Sequence, residues 1–132
     1  MVETTLTNDL IEGGKLLIQQ LDRSKLTIDA ALWSYLSELG GWRLILGVKE
    51  LDRLGPKKVY RTIQSVLHRT QKTLPEGSRV SLDEITILAP GAPLFKLLRI
   101  AVGTGSGISG LRFSNNVING QLVEDAYIYR LR

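Results

Sequence analysis

Cysteine is missing from the 132 residues, and that one absence removes thiol nucleophiles, disulfide staples and thiolate metal sites together. Small secreted domains commonly lean on disulfides, so the expectation is a cytoplasmic protein. Histidine is almost absent as well. His68 stands alone, which excludes two-imidazole acid–base chemistry and any multi-histidine metal site. No apolar run approaches the roughly 20 residues that span a bilayer, so no membrane partner is expected. Met1 to Leu10 carries Glu3 and Asp9 and lacks both a basic start and an apolar stretch, unlike a signal peptide.

What is present is ordinary in amount and uneven in distribution. A chain of this length buries roughly two thirds of its extended surface on folding, enough for one hydrophobic core, and residues 1–132 are expected to form a single domain. The apolar and charged fractions, 43% and 23%, are those of globular proteins. The net charge of +4 is not spread evenly. Up to Pro56 the chain holds eight acids and six bases, a balance of −2; from Lys57 onward eleven bases face five acids, a balance of +6. The basic character belongs to the second half.

Periodicity divides the chain into eight elements. Leu10, Leu17, Ile18 and Leu21 fall near helical spacing over Asn8 to Arg23, with Thr7 or Asn8 as N-cap. Gly13 and Gly14 inside that helix imply either close packing or a break. Ile28 to Leu36 and Trp42 to Lys49 read as a hairpin across Ser37-Glu38-Leu39-Gly40-Gly41. In the second strand Trp42, Leu44, Leu46 and Val48 alternate with Arg43, Ile45, Gly47 and Lys49. Pro56 then opens a second helix, Lys57 to Lys72, in which Val59, Ile63, Val66, Leu67 and Thr70 share one third of the circumference.

A strand is expected within Ser81 to Ala89, and a short helix, apolar on nearly every side, over Leu94 to Val102, which suits deep burial or cover by a second copy of the chain. Two further strands, Leu111 to Ile118 and Gln121 to Leu131, flank Asn119-Gly120, the signature of a type I′ turn. The order is α-β-β-α-β-α-β-β. It predicts an α+β fold with a mixed, mainly antiparallel five-stranded sheet and three helices, an order that allows all helices on one face. In element order alone the chain is similar to small-molecule sensor domains of the GAF and PAS kind, a resemblance that implies a small-ligand pocket.

The chemistry is concentrated in the second helix. Lys57, Lys58, Arg61, Arg69 and Lys72 lie on its polar side, and no acid occurs between Lys57 and Lys72 to neutralise them at i,i+4. Such a face suits an acidic partner, either nucleic acid or protein. The plainer alternative is a solvated face whose cations pair with carboxylates from elsewhere in the fold. A second candidate is the Gly105-Ser106-Gly107-Ile108-Ser109-Gly110 run, which matches G-x-G-x-x-G in spelling but follows a helix and opens a strand, the reverse of a dinucleotide-binding turn. What remains there is a flexible connector or a backbone nest for a small anion at Gly105, Gly107 and Gly110, aided by Arg112 or Arg99.

Three further constellations are weaker. Tyr127 and Tyr129 share a strand face and could stack bases beside Arg112 or Arg130, although core packing accounts for them equally. Asp29, Glu50 and Asp125 are the carboxylates from separate elements that a metal-dependent phosphodiester hydrolase would need, but no spacing links them. His68 among cations suits solvent better than a metal. With no convergent acid, base, cofactor or metal signature, the reading is a non-enzymatic binding or assembly module; a small-anion sensor comes second and a phosphodiester hydrolase third.

Overall fold

The computed structural model describes residues 5–105, 107–114 and 116–132, so Ser106 of the glycine run and Asn115 lie outside the described residues. The first helix, α1 (Asn8–Asp22), starts where Thr7 Oγ1 accepts a hydrogen bond from the Leu10 amide at 3.2 Å. It continues unbroken through Gly13 and Gly14 because both are packing positions. A methyl at Gly13 would run into the Ser78 carbonyl oxygen, and one at Gly14 would run into the Tyr129 hydroxyl and come within 3.0 Å of Trp33 Nε1. Leu17, Ile18 and Leu21 are buried on the same side.

Strands β1 (Ile28–Leu36) and β2 (Gly41–Val48) form the expected antiparallel hairpin, with Leu36 opposite Gly41 and Ile28 opposite Val48. A 3-10 turn at Ser37–Leu39 closes on Gly40 in the left-handed region, φ 67°. After a single helical turn, α2 (Leu51–Leu54), the long helix α3 (Pro56–Gln71) begins at Gly55, whose φ of 83° is open to glycine and few others. Its Val59, Ile63, Val66, Leu67 and Thr70 are buried. The chain returns to β3 (Ile85–Leu88), which pairs with β2 in parallel.

The order of the five-stranded sheet is β3-β2-β1-β7-β4, where β4 is Leu111–Phe113 and β7 is Ala126–Leu131. Only β2–β3 is parallel, so the sheet is mixed and mainly antiparallel. Among the described residues no helix is long and apolar enough to cross a membrane.

Both faces of the sheet are covered, which differs from an arrangement with every helix on one side. Helices α1 and α3 pack on the face of Ala31, Trp33, Leu44 and Leu46. Helix α4 (Pro93–Ala101) packs Phe95 and Leu98 on the other, against Ala30, Leu32, Ile45 and Ile128. Gly47 makes room for it: a Cβ there would sit 2.8 Å from the Phe95 ring. The apolar character of α4 is therefore spent largely on the second core, and Ile100 remains 64% exposed.

The C-terminal half also departs from two long strands. Each divides, giving β4 and β5 (Asn116–Ile118), then β6 (Gln121–Val123) and β7. Strands β5 and β6 form a separate ribbon around Asn119 and Gly120, both at positive φ, 50° and 80°, as a type I′ turn requires. The ribbon leaves the sheet because Ile118 and Val123 join Phe95 in the second core. Strand β7 carries a bulge: Arg130 pairs with Ala31 and Ile128 with Leu32, so Tyr129 and Arg130 both serve the α1 side.

Candidate functional site

Helix α3 is held rigidly from beneath and open above. Its buried stripe contacts the core formed by Leu44, Leu46, Ile85 and Ile87, and Tyr60 extends a hydroxyl to the Ile85 carbonyl at 3.4 Å. The opposite arc carries Lys57, Lys58, Arg61, Gln64, Ser65, His68, Arg69 and Lys72, all solvent-exposed. At 1.5 Å per residue the stripe from Lys57 to Lys72 is roughly 22 Å long. The five cations named from the sequence are thus brought onto one face.

None of the five forms an ion pair among the described residues. The two that occur there, Arg130 with Asp22 and Arg132 with Asp29, are elsewhere. The placement is also unfavourable for the helix itself. No acid stands in the first turn, where Lys57 and Lys58 add charge to the positive end of the macrodipole. Lys57 with Arg61, Lys58 with Arg61, and Arg69 with Lys72 are like-charge neighbours at helical spacing, each costing about 0.2–0.5 kcal/mol.

Beside the C-terminal half of α3 lies a cleft of about 440 Å³, open to solvent. One wall is α3, through Gln64, His68 and Lys72; the other is the returning chain at Arg79 to Leu82, and Leu67 and Val80 form the buried floor. Gln71 ties the walls together by donating from Nε2 to the Val80 carbonyl, while its Oε1 is buried without a partner. Arg79 donates Nε to the Leu74 carbonyl at 3.1 Å and makes no ion pair among the described residues. It is a cation that sequence reasoning did not add to the face. Nothing in the loop 73–79 signals that it folds back beside α3; the Gln71–Val80 contact, nine residues apart, does that.

The glycine loop is organised differently. Gly105, Gly107 and Gly110 are exposed. The amides of Thr104 and Ser109 donate to the carbonyls of Leu131 and Tyr129, and the Gly107 carbonyl accepts from Arg130 Nε at 3.3 Å. The segment therefore runs as a partner of β7. Arg112 stands over the Trp42 ring at 5.5 Å, and Arg99 donates to the carbonyls of Pro90 and Arg132.

The tyrosine platform is corrected by burial. Tyr129 is 1% exposed, where its hydroxyl accepts from Trp33 Nε1 at 2.9 Å and donates to the Ile11 carbonyl at 2.7 Å. Burial pushes the phenol well above its ordinary pKa, against the lowering effect of the Trp33 hydrogen bond. Arg130 is likewise buried, held by Asp22 with two contacts of 2.8 Å. Neither is available to stack on a base.

The three carboxylates have separate engagements. Asp29 pairs with Arg132, and Glu50 accepts from the Thr27 amide and hydroxyl at 2.7 and 2.8 Å. Burial raises the Glu50 pKa, but those hydrogen bonds outweigh it and hold the group below its ordinary value. Asp125 keeps Oδ1 buried without a partner. Among the described residues no group of three or more His, Asp or Glu side chains could hold a metal.

Comparison with known proteins adds no relative: the chain matches no family model, and no curated protein or solved structure is significantly similar to it. Function has to be argued from the site.

Proposed function

We propose that this protein is a non-catalytic binding module whose α3 face docks an acidic partner, nucleic acid or protein. The observation that carries the reading is the set of five exposed cations, Lys57, Lys58, Arg61, Arg69 and Lys72, with no ion pair among the described residues. They stand on a helix whose opposite side is buried against the sheet, so the charges are presented on a fixed frame. Local stability gives no reason for the arrangement, since both the macrodipole and the like-charge neighbours oppose it. An anionic partner would relieve that repulsion and gain affinity by counterion release.

The test is retention on immobilised heparin. A variant carrying Arg61→Glu, Arg69→Glu and Lys72→Glu should elute at clearly lower salt than the native chain, with its unfolding free energy changed by no more than about 1 kcal/mol, since all three side chains are exposed. A control with Lys15, Arg23 and Lys25 reversed has the same net charge and should elute between the two. If the two variants elute together, charge alone governs retention and the α3 face is not the docking surface.

A further inference from the structure

We infer that the partner is the phosphate backbone of a nucleic-acid duplex, which follows α3 from Lys57 and Lys58 into the cleft between Lys72 and Arg79. This rests on reading α3 as the docking face, and it concerns which polyanion fits that face.

The outer arc of α3 contains five cations together with Gln64, Ser65 and His68, and no Leu, Ile, Val, Met, Phe, Tyr or Trp. Protein–protein interfaces are built around an apolar, often aromatic, centre from which charge is depleted; this face has none. Protein–nucleic-acid interfaces are more polar and much more positive, which is the composition seen here. Phosphate oxygens accept from Lys, Arg and Gln side chains alike, so the five cations and Gln64 each have a use on a phosphate backbone, while the Ser65 hydroxyl donates to the Arg61 carbonyl at 3.1 Å.

Strandedness follows from the same surface. Single strands are gripped by stacking bases on aromatic rings. Trp33 and Tyr129 are sealed in the core, Tyr60 is half-buried with its hydroxyl on the Ile85 carbonyl, and the arc carries one ring, the His68 imidazole, with no Trp, Tyr or Phe. A helix that offers five cations and a single imidazole suits a duplex, whose bases are already stacked on each other. Arg79 extends the path: it faces Lys72 and His68 across a cleft of about 440 Å³, and its Nε bond to the Leu74 carbonyl leaves the terminal nitrogens of the guanidinium for a phosphate. Phosphate contact alone reads shape and charge, so binding should be indifferent to base sequence.

The experiment measures affinity of the full chain for four probes of matched charge: a 24-base-pair DNA duplex, the same duplex as RNA, a 48-nucleotide single strand, and poly-L-glutamate of about the same number of charges. If four of the six cations each neutralise one phosphate, the slope of log K against log salt for the DNA duplex is about −3.6, an affinity loss of about 150-fold between 50 and 200 mM salt. Duplex should bind at least about tenfold more tightly than single strand or polyglutamate. Arg79→Gln should weaken duplex binding and make the slope shallower by about one. The DNA and RNA arms decide whether B-form or A-form spacing fits the stripe.

Polyglutamate or the single strand binding as tightly as the duplexes would overturn the duplex assignment and leave the α3 docking face standing. Absence of binding to all four probes would overturn both. Duplex binding that survives Arg61→Glu, Arg69→Glu and Lys72→Glu would place the contact elsewhere, and an unchanged slope in Arg79→Gln would remove the cleft from the path.

Discussion

Tyr129, Trp33 and Gly14 depend closely on one another. The Tyr129 hydroxyl accepts a hydrogen bond from the Trp33 indole N–H and donates one to the Ile11 carbonyl, and α1 can approach that hydroxyl only because residue 14 has no side chain. Tyr129→Phe leaves the buried Trp33 indole N–H unpaired and removes the bond to the Ile11 carbonyl, a loss of about 1–3 kcal/mol. Gly14→Ala overpacks the same spot for a similar loss. Because the atom that an alanine meets first is the hydroxyl that phenylalanine lacks, the two losses should not add. Urea denaturation of both single variants and the double should give a double-variant cost below the sum by at least about 0.5 kcal/mol. Strict additivity would mean that the helix moves aside instead.

At the scale of the element, α3 joins a legible stripe to a charge pattern that works against it. Its buried residues were readable because 3.6-residue periodicity needs no tertiary information; Pro56 opens the helix as expected, and the periodic run to Lys72 passes the observed end at Gln71 by one residue. The cations in the first turn yield a two-sided prediction. Lys58→Glu places an acid where the macrodipole favours one, so thermal unfolding should show a gain of about 0.3–1 kcal/mol, while duplex affinity falls. A stabilised variant with undiminished binding would show that Lys58 faces solvent only. The ribbon β5–β6 is the contrasting element: its turn was written in Asn119-Gly120, but its separation from the sheet was not, because the pull of Phe95 on Ile118 and Val123 comes from a helix some twenty residues away.

For the whole molecule, the strand β7 is an interior member of the sheet, and an ion pair joins the Tyr129 hydroxyl in attaching it to α1. The bulge in β7 turns Arg130 toward Asp22, giving a bidentate contact in which the arginine side chain is 4% exposed and the aspartate 37%. The guanidinium also donates to the carbonyls of Ile28 and Gly107, so one side chain fastens α1, the start of β1 and the glycine loop to the last strand. Asp22→Ala strands most of a buried charge and should lower stability in urea by about 2 kcal/mol, less than a fully buried pair would because the carboxylate is partly hydrated. Adding Arg130→Met should recover much of that loss, since a neutral side chain needs no counter-charge. A double variant less stable than Asp22→Ala would show that the carbonyl contacts, rather than the ion pair, hold the strand.

Sequence alone determined whatever depends on neighbours along the chain: the α+β class, the α3 stripe, the β1–β2 alternation, the type I′ turn and the run of bases without an acid between Lys57 and Lys72. These follow from side-chain period, backbone preference and local charge, which act over a few residues. Tertiary structure alone decided which polar groups are hidden and which are offered. It buried Tyr129 and Arg130, spent the glycine loop on β7, and set Arg79 across a cleft from Lys72, because burial and pairing depend on residues up to about a hundred positions apart, as in Asp22 with Arg130.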